Sequence, residues 1–434
     1  MQIMKWSAIA FAVAAASTQM AVASQQDNAQ GFIEDSKLQL DSRMFYFNRD
    51  FRNSKHESPR EKTNGYVEEL GLGFKARYQS GFTQGTVGVG VDAFGLQSIK
   101  LDSGGGRHSE TDSFFFPTKS NGKARNNASQ AGAAVKARIS STTLKYGRQT
   151  DVDMPVFSMD DSRLLQETST GFLVTSEEID GLQLNAGHFT QLSDLNQVRG
   201  DSAGLKNIDF VGGNYAITDD LNVAYYYADA DLDENAGNTL GYKSSKKHYL
   251  GADYHYDLAA DQALDFDFNF YRTKLGNRHE SNDRNKAWSL AAAYTLDAHK
   301  FTVGHQRISG DTGYEYGYDG GGSIYLLNDV QVNSFIGEDE NSWQARYDLD
   351  MGKFGVEGLN LMTRYVRGSN VKTAEGNHNG KNWERNVEAG YTFQQGAAKD
   401  LNLRVRQATY RASHLGNKDI DEVRVIVNYP LSIL

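Results

Sequence analysis

The stretch Tyr249-Leu-Gly-Ala-Asp-Tyr-His-Tyr-Asp-Leu-Ala-Ala-Asp-Gln-Ala-Leu-Asp-Phe-Asp-Phe-Asn-Phe-Tyr271 decides the fold. Leu250, Ala252, Tyr254, Tyr256 and Leu258 alternate with Gly251, Asp253, His255 and Asp257. After a turn at Ala260-Asp261-Gln262, Leu264, Phe266, Phe268 and Phe270 alternate with Asp265, Asp267 and Asn269. Because successive strand side chains point to opposite faces, this predicts an antiparallel hairpin with one apolar and one polar face.

The same pattern recurs outward from that hairpin. Val211, Tyr215 and Ile217 precede a turn at Thr218-Asp219-Asp220, and Leu221, Val223, Tyr225 and Tyr227 follow it. It returns in Trp288 to Leu296, in Trp343 to Leu349, and in Val423, Val425, Val427, Tyr429, Leu431 and Ile433. Runs of about ten residues with aromatic residues near their ends suit strands that cross an apolar band at a tilt, whereas the strands of a soluble sandwich are usually shorter. The expectation is a single all-β transmembrane antiparallel barrel. Eighteen strands at about 10 residues each would use roughly 180 residues and leave about 230 for turns and loops; sixteen fit nearly as well. Long-loop candidates are Gly104-Gly105-Gly106, Gly320-Gly321-Gly322, the acidic run Asp229 to Glu234, and Glu338-Asp339-Glu340.

Composition agrees. The 434 residues include 43 glycines, 23 tyrosines and 22 phenylalanines but only 4 prolines and no cysteine, which removes disulfides, thiolate metal sites and cysteine nucleophiles. A mean hydropathy of -0.58 leaves no apolar run long enough for a membrane-spanning helix, while a two-residue alternation hides a barrel's apolar face from any average. A net charge of -10 argues against a nucleic-acid partner. At the amino terminus, Lys5, the apolar run from Trp6 and the small-x-small site Ala21-Val22-Ala23 read as a signal peptide over residues 1–23, leaving the barrel as residues 24–434.

Few motifs carry chemistry. Gly88-Val-Gly-Val-Asp-Ala93 fits a loose dinucleotide fingerprint but lies in an alternating strand with Val87, Val89 and Val91 on one face. Asp231-x-Asp233-x-Asn235 imitates a calcium loop, with its glycine misplaced and Tyr242 where a carboxylate should close it. His188 reads as an isolated strand residue. Metalloprotease, hydrolase-elbow and P-loop NTPase signatures are missing, so no catalytic residue, cofactor or metal is expected.

The basic residues on the polar faces are more informative. If Leu401, Leu403 and Val405 face lipid, Arg404 and Arg406 point inward, stacked about 6.6 Å apart. By the same alternation Arg424, Lys136, Arg138, Lys75, Arg77 and Arg346 point inward. Positive charge inside a protein of negative total charge suits a path for anions, although inward Asp253, Asp265 and Asp267 make the field uneven.

Longer stretches carry a resemblance. Gly31-Phe-Ile-Glu-Asp-Ser36, Tyr46-Phe-Asn-Arg-Asp50, Ser80 to Gly95, Asp160-Asp-Ser-Arg-Leu-Leu165 before Gly171-Phe172, Trp288 to Ala298, Ser342 to Leu349 and the ending Asn428-Tyr-Pro-Leu-Ser-Ile-Leu434 resemble the OprD-type outer-membrane porin family. The resemblance implies eighteen strands, a third external loop folded inward as a constriction, and a ladder of basic residues guiding carboxylates such as amino acids or aromatic acids. It places Arg49 in the N-R-D motif, Arg163 in the inward loop, Arg404 with Arg406 as the paired R-x-R, and Arg424 on the last strand, with Arg60 matched to the first external loop. The tyrosine-rich region Gly310 to Gly337 departs from members selective for basic amino acids.

The function expected is a passive, substrate-selective diffusion channel for small carboxylates in the outer membrane of a Gram-negative bacterium. A general porin is the nearest alternative, and an outer-membrane protease or lipase a more distant one. Expected partners are outer-membrane lipid and lipopolysaccharide, small anionic or zwitterionic solutes, and a second copy of the chain if the porin is a homo-oligomer such as a trimer rather than a monomer.

Overall fold

In hydrocarbon a strand cannot leave backbone N–H and C=O groups unpaired, so each strand needs two neighbours. A computed structural model of the chain describes residues 24–52, 65–233, 241–277, 282–416 and 419–432, and meets this requirement with an 18-stranded antiparallel sheet closed on itself. The expected signal peptide, Arg60, Asn235, Ile433 and Leu434 lie outside the described residues.

The strands are β1 (Lys37–Phe51), β2 (Tyr66–Gln79), β3 (Val87–Ser103), β4 (Asn127–Ile139), β5 (Thr142–Gln149), β6 (Asp153–Met154), β7 (Phe157–Ser158), β8 (Thr168–Ile179), β9 (Leu182–Ser193) and β10 (Leu205–Ala216). They continue as β11 (Leu221–Leu232), β12 (Tyr242–Ala259), β13 (Gln262–Asn277), β14 (Asn282–Leu296), β15 (His299–Gly310), β16 (Asn341–Asp350), β17 (Leu359–Val371), β18 (Gly380–Thr392), β19 (Asn402–Ser413) and β20 (Ile420–Ser432). Strands β6 and β7 make a small separate hairpin; the others form the wall, each paired with the next. The seam joins β1 to β20, with Phe45 opposite Ile426 and Arg49 opposite Glu422.

Connections alternate between short turns at one end, such as 140–141 and 297–298, and longer loops at the other, such as 104–126, 150–167 and 311–340. In barrels of this kind the short turns face the periplasm. The hairpin that opened the sequence reading is β12–β13, and Ala259 already pairs with Gln262, so its turn is the two residues 260–261.

The alternation appears as inverted accessibility. Leu250, Tyr254, Tyr256 and Leu258 are exposed on the outer surface, as are Val87, Val89 and Val91 of the glycine-rich stretch, which is therefore plain strand. Several strands exceed the expected ten residues: β12 has 18 and β3 has 17. Asp229 to Leu232, expected in a loop, instead continue β11. His188 is paired, its Nδ1 2.8 Å from Asp209 on the neighbouring strand.

The inner face is less uniformly polar than the alternation suggests, because three long loops fold into the barrel and bring apolar residues with them. Phe115 and Phe116 of loop 104–126 pack against Phe45 and Phe47 of β1, with the Phe45 and Phe115 ring centroids 4.9 Å apart. Loop 150–167 presses so closely on β2 that a Cβ at Gly73 would lie 2.4 Å from the Leu164 carbonyl oxygen. Its β6–β7 hairpin buries Phe157 against Phe189 and Phe210, and loop 311–340 adds Tyr314, Tyr318 and Ile324 to that same cluster.

Val405 lies on the outer face of β19 at 42% exposure, between the inward Arg404 and Arg406. Val405→Arg is expected to destabilise the barrel by about 2–4 kcal/mol if the site lies near the bilayer midplane. Urea unfolding in lipid vesicles measures it, and a loss below about 0.5 kcal/mol, the range of indifferent surface substitutions, would show that Val405 does not meet lipid.

Candidate functional site

The seam strands carry the charge. On β20 the carboxylate of Glu422, wholly buried, accepts from Arg49 Nε of β1 at 2.7 Å on one oxygen and from Arg424 on the other. Arg49 also reaches Asp112 of loop 104–126 at 2.9 Å, and Arg424 donates to the Gln331 carbonyl of loop 311–340 at 2.7 Å. Register places Arg406 of β19 directly beside Arg424. Glu388 of β18 holds Arg404 and Arg406, one on each oxygen at 2.8 Å.

Arg163 enters this group from loop 150–167. Its backbone carbonyl and that of Asp161 accept from Arg43 Nη1, and the Asp161 carboxylate lies 2.6 Å from Lys75 Nζ. The loop tip is thereby pinned to the inner faces of β1 and β2. Burial would push the Asp161 carboxyl up, but Arg43 and Lys75 hold it below the usual range. The Arg163 guanidinium itself is bonded through Nη1 to its neighbour Ser162, at 2.9 Å to the hydroxyl, while its buried Nε makes no hydrogen bond among the described residues. Burial and the adjacent Arg424 lower its pKa to about 10, so it stays charged at neutral pH.

Of the residues singled out from sequence, the fold brings Arg49, Arg163, Arg406 and Arg424 around Glu422, with Arg404 one rung further along β19. Lys136 and Arg138 stand apart. Lys136 bonds Asp92 at 2.7 Å and the Ser80 carbonyl at 2.8 Å, and Arg138 bonds Gln26 at 3.0 Å, both over the Phe82 ring. They line a vestibule of about 430 Å³ toward the short-turn end, together with Lys145 and Asp151. The sequence reading passed over Arg43, Arg364, Glu388 and Glu422. Arg364 is buried inward between outward Thr363 and Tyr365, so the alternation already contained it. Glu388 and Glu422 lie inward by the same alternation, beside the arginines, but only the acids Asp253, Asp265 and Asp267 were considered with them.

The opposite wall is built by loop 311–340. Glu384 of β18 accepts the backbone N–H groups of Gln331, Val332 and Asn333 at 2.9–3.1 Å. Lys247 of β12 forms a buried ion pair with Asp319 inside a cage of Tyr314 and Tyr318 rings. The two inward loops touch: Gly321 N donates to Glu167 at 2.8 Å and Gly322 N to the Ser158 carbonyl at 3.1 Å. Burial, with Asp160 alongside, raises the Glu167 carboxyl well above its ordinary value.

A closed 18-stranded wall, an inward third loop and an arginine cluster at its tip define a narrow family of folds. A family model described as outer membrane porin, OprD family, matches residues 30–433. The chain belongs to the OprD family of outer-membrane porins. It is 44% identical to Porin D of Pseudomonas aeruginosa over the full length of both chains. It also superposes on OccAB1 of Acinetobacter baumannii with a TM-score of 0.86 at 30% identity, covering 95% of this chain and all of that one. OpdK of Pseudomonas aeruginosa, solved with vanillate, superposes with a TM-score of 0.80 at 32% identity, covering 93% of this chain and all of OpdK. As a member of this family the porin resides in the outer membrane of Gram-negative bacteria.

Glu388 changes what removing the arginine pair should do. Arg404→Ser with Arg406→Ser leaves the barrel folded, since lumen-facing changes lose no lipid contact, but frees a negative charge in the porin. The anion-to-cation permeability ratio, from reversal potentials in a salt gradient, is expected to fall, and adding Glu388→Gln to restore part of the loss. An unchanged ratio in the folded double variant would remove these arginines from the path.

Glu340 supplies a pH dependence. Burial raises its carboxyl to about 7 while one oxygen accepts the Gly337 N–H. A carboxyl whose folded pKa is raised contributes stability that is present below its unfolded value near 4.5 and is lost as pH rises through about 7. Amide exchange in residues 334–340 is expected to accelerate between pH 5 and 8, beyond the intrinsic base catalysis, and Glu340→Gln to flatten that excess. An excess that persists in the variant would assign it to another group.

Proposed function

We propose that this porin is a passive, substrate-selective diffusion channel for small carboxylate-bearing solutes, with the seam arginines as the path. The observation that carries this reading is Arg163: a half-buried guanidinium at the tip of the inward loop, charged at neutral pH and gathered with Arg49, Arg406 and Arg424 around Glu422. Guanidinium offers forked donors matched to a carboxylate. A row of comparable sites lets a solute bind loosely at each and pass on, which conduction requires. Arg404 and Arg406 extend that row along β19. Inward Asp253 and Asp267, opposite each other on β12 and β13, hydrogen-bond one another and give the far wall carboxyl oxygens, acceptors suited to the ammonium end of an amino acid. The relative OpdK was solved with vanillate, an aromatic carboxylate, and that chemistry supports the same class here.

We read the protein as a channel and not an enzyme. Among the described residues, Thr118, His108 and Glu69 resemble a catalytic set, linked at 2.9 and 2.8 Å. His108 and Glu69 are only 2% and 1% exposed, and they tie loop 104–126 to β2.

Liposome swelling with vanillate, benzoate, amino acids and neutral sugars of matched size tests the reading, together with currents in planar bilayers. Carboxylates are expected to enter faster than sugars, and the advantage to shrink with salt as mobile ions screen the arginines. Sugars entering at equal rates would favour the general porin, and a folded barrel that does not conduct would overturn the channel reading.

A further inference from the structure

Charge also gathers on the outside of the barrel, where the solute path has no use for it. In β13 the outward positions run Leu264, Phe266, Phe268 and Phe270 from the short-turn end, then become Arg272 and Lys274. In β14 they run Leu296, Tyr294, Ala292, Leu290 and Trp288, then become Lys286 and Arg284. These four cations are all exposed. The apolar runs before them, 264–270 and 288–296, approach the length of a tilted strand crossing the hydrocarbon, so the cations stand at headgroup level on the extracellular side.

Their pairing is unfavourable as it stands. Register sets Arg272 opposite Lys286 and Lys274 opposite Arg284, like charges facing across adjacent strands, which destabilise a sheet unless a counter-charge sits between them. None of the four has a carboxylate partner among the described residues. Exposed Arg307 and Arg367 continue the positive arc onto β15 and β17, opposite Trp288 and Trp343. The foot of the arc is aromatic: the His305 ring lies between those two tryptophans, its centroid 5.1 Å from Trp288 and 4.3 Å from Trp343. Indole rings above an apolar band mark the membrane interface. At the short-turn end of the same strands the turns carry Asp261 and Asp297, and Lys353 beside them is paired with Asp297 at 2.9 Å, so the unpaired positive charge belongs to one leaflet.

We propose that the arc formed by β13 to β17 is a docking surface for the phosphates of outer-leaflet lipid headgroups. A phosphate seated between Arg272 and Lys286, or between Lys274 and Arg284, cancels the repulsion and accepts charge-assisted hydrogen bonds, while its acyl chains lie along the apolar run below. An acidic face of a second copy fits less well. On β10 and β11 the outward Asp209 and Asp229 are already engaged, Asp229 with Lys246 at 2.7 Å and Asp209 with His188 at 2.8 Å.

The tryptophans of residues 24–434 are Trp288, Trp343 and Trp383, and Trp383 lies opposite Arg367 in register, so intrinsic fluorescence reports on this arc. The full chain, folded in dodecyl maltoside, is titrated with bis-phosphorylated lipid A and with the same lipid stripped of phosphates. The phosphorylated form is expected to saturate the signal at a concentration at least tenfold lower. The variant combining Arg272→Gln, Lys274→Gln, Arg284→Gln and Lys286→Gln is expected to remove that advantage while keeping the heat-modifiable gel mobility of a folded barrel. Equal midpoints for the two lipids on the unaltered chain would overturn the proposal without any variant. So would inorganic phosphate producing the full signal alone, or self-association by sedimentation that the variant abolishes and lipid does not affect.

Discussion

Every feature of this porin follows from a backbone that must satisfy its own hydrogen bonds where no water is present. The pairing of β1 with β20 is the contact that makes this possible, because an open sheet would present two unpaired edges to lipid. Once the seam is closed, side-chain direction is fixed by strand period alone, and outward and inward positions become two independent sequences written on one chain. The outward one answers to lipid and its headgroups. The inward one is free to carry charge and to receive loops.

The loops that fill the lumen turn a tube into a shaped passage. Loops 104–126, 150–167 and 311–340 pack on inward apolar residues such as Phe45, Phe47, Tyr249 and Tyr271, so the barrel has a core despite its membrane setting. Buried carboxylates serve as anchors for this core. Glu384 receives three backbone N–H groups, Glu422 two arginines, and Asp319 a lysine inside an aromatic cage. A buried ion retained with several partners is costly to break and fixes geometry, and here it holds the guanidinium groups gathered at the seam.

Much of this was legible in the sequence, and the limit of legibility has a physical cause. The period of two is local, so the hairpin at Tyr249 to Tyr271, the outward valines of β3 and β20, and the inward placement of Arg404, Arg406 and Arg424 could all be read from neighbours in the chain. The same rule already contained Arg364 and Glu388. Loop placement is not local: nothing in Asp160 to Leu165 alone announces that Asp161 will meet Lys75, or that Gly73 leaves room for Leu164. Those contacts join residues some ninety positions apart and depend on where the closed wall puts them. Hence Lys136 and Arg138, equally inward by alternation, proved to belong to a separate vestibule, while Arg163 joined the seam.

The interlocking of the two inward loops bears on biogenesis. Loop 150–167 is pinned to β1 and β2, and loop 311–340 to β12, β18 and β20, so their fixing points straddle the seam. The Arg424–Gln331 bond needs β20 in place, and the Arg43 clasp on the Asp161 and Arg163 carbonyls needs β1. The inward loops therefore gain these contacts only once both seam strands are in place. Until the first and last strands meet, the chain is an incomplete wall whose inward loops lack these anchors. Closure of the wall and fixing of the inward loops are thus one event at the seam, because the same two strands supply the partners for both.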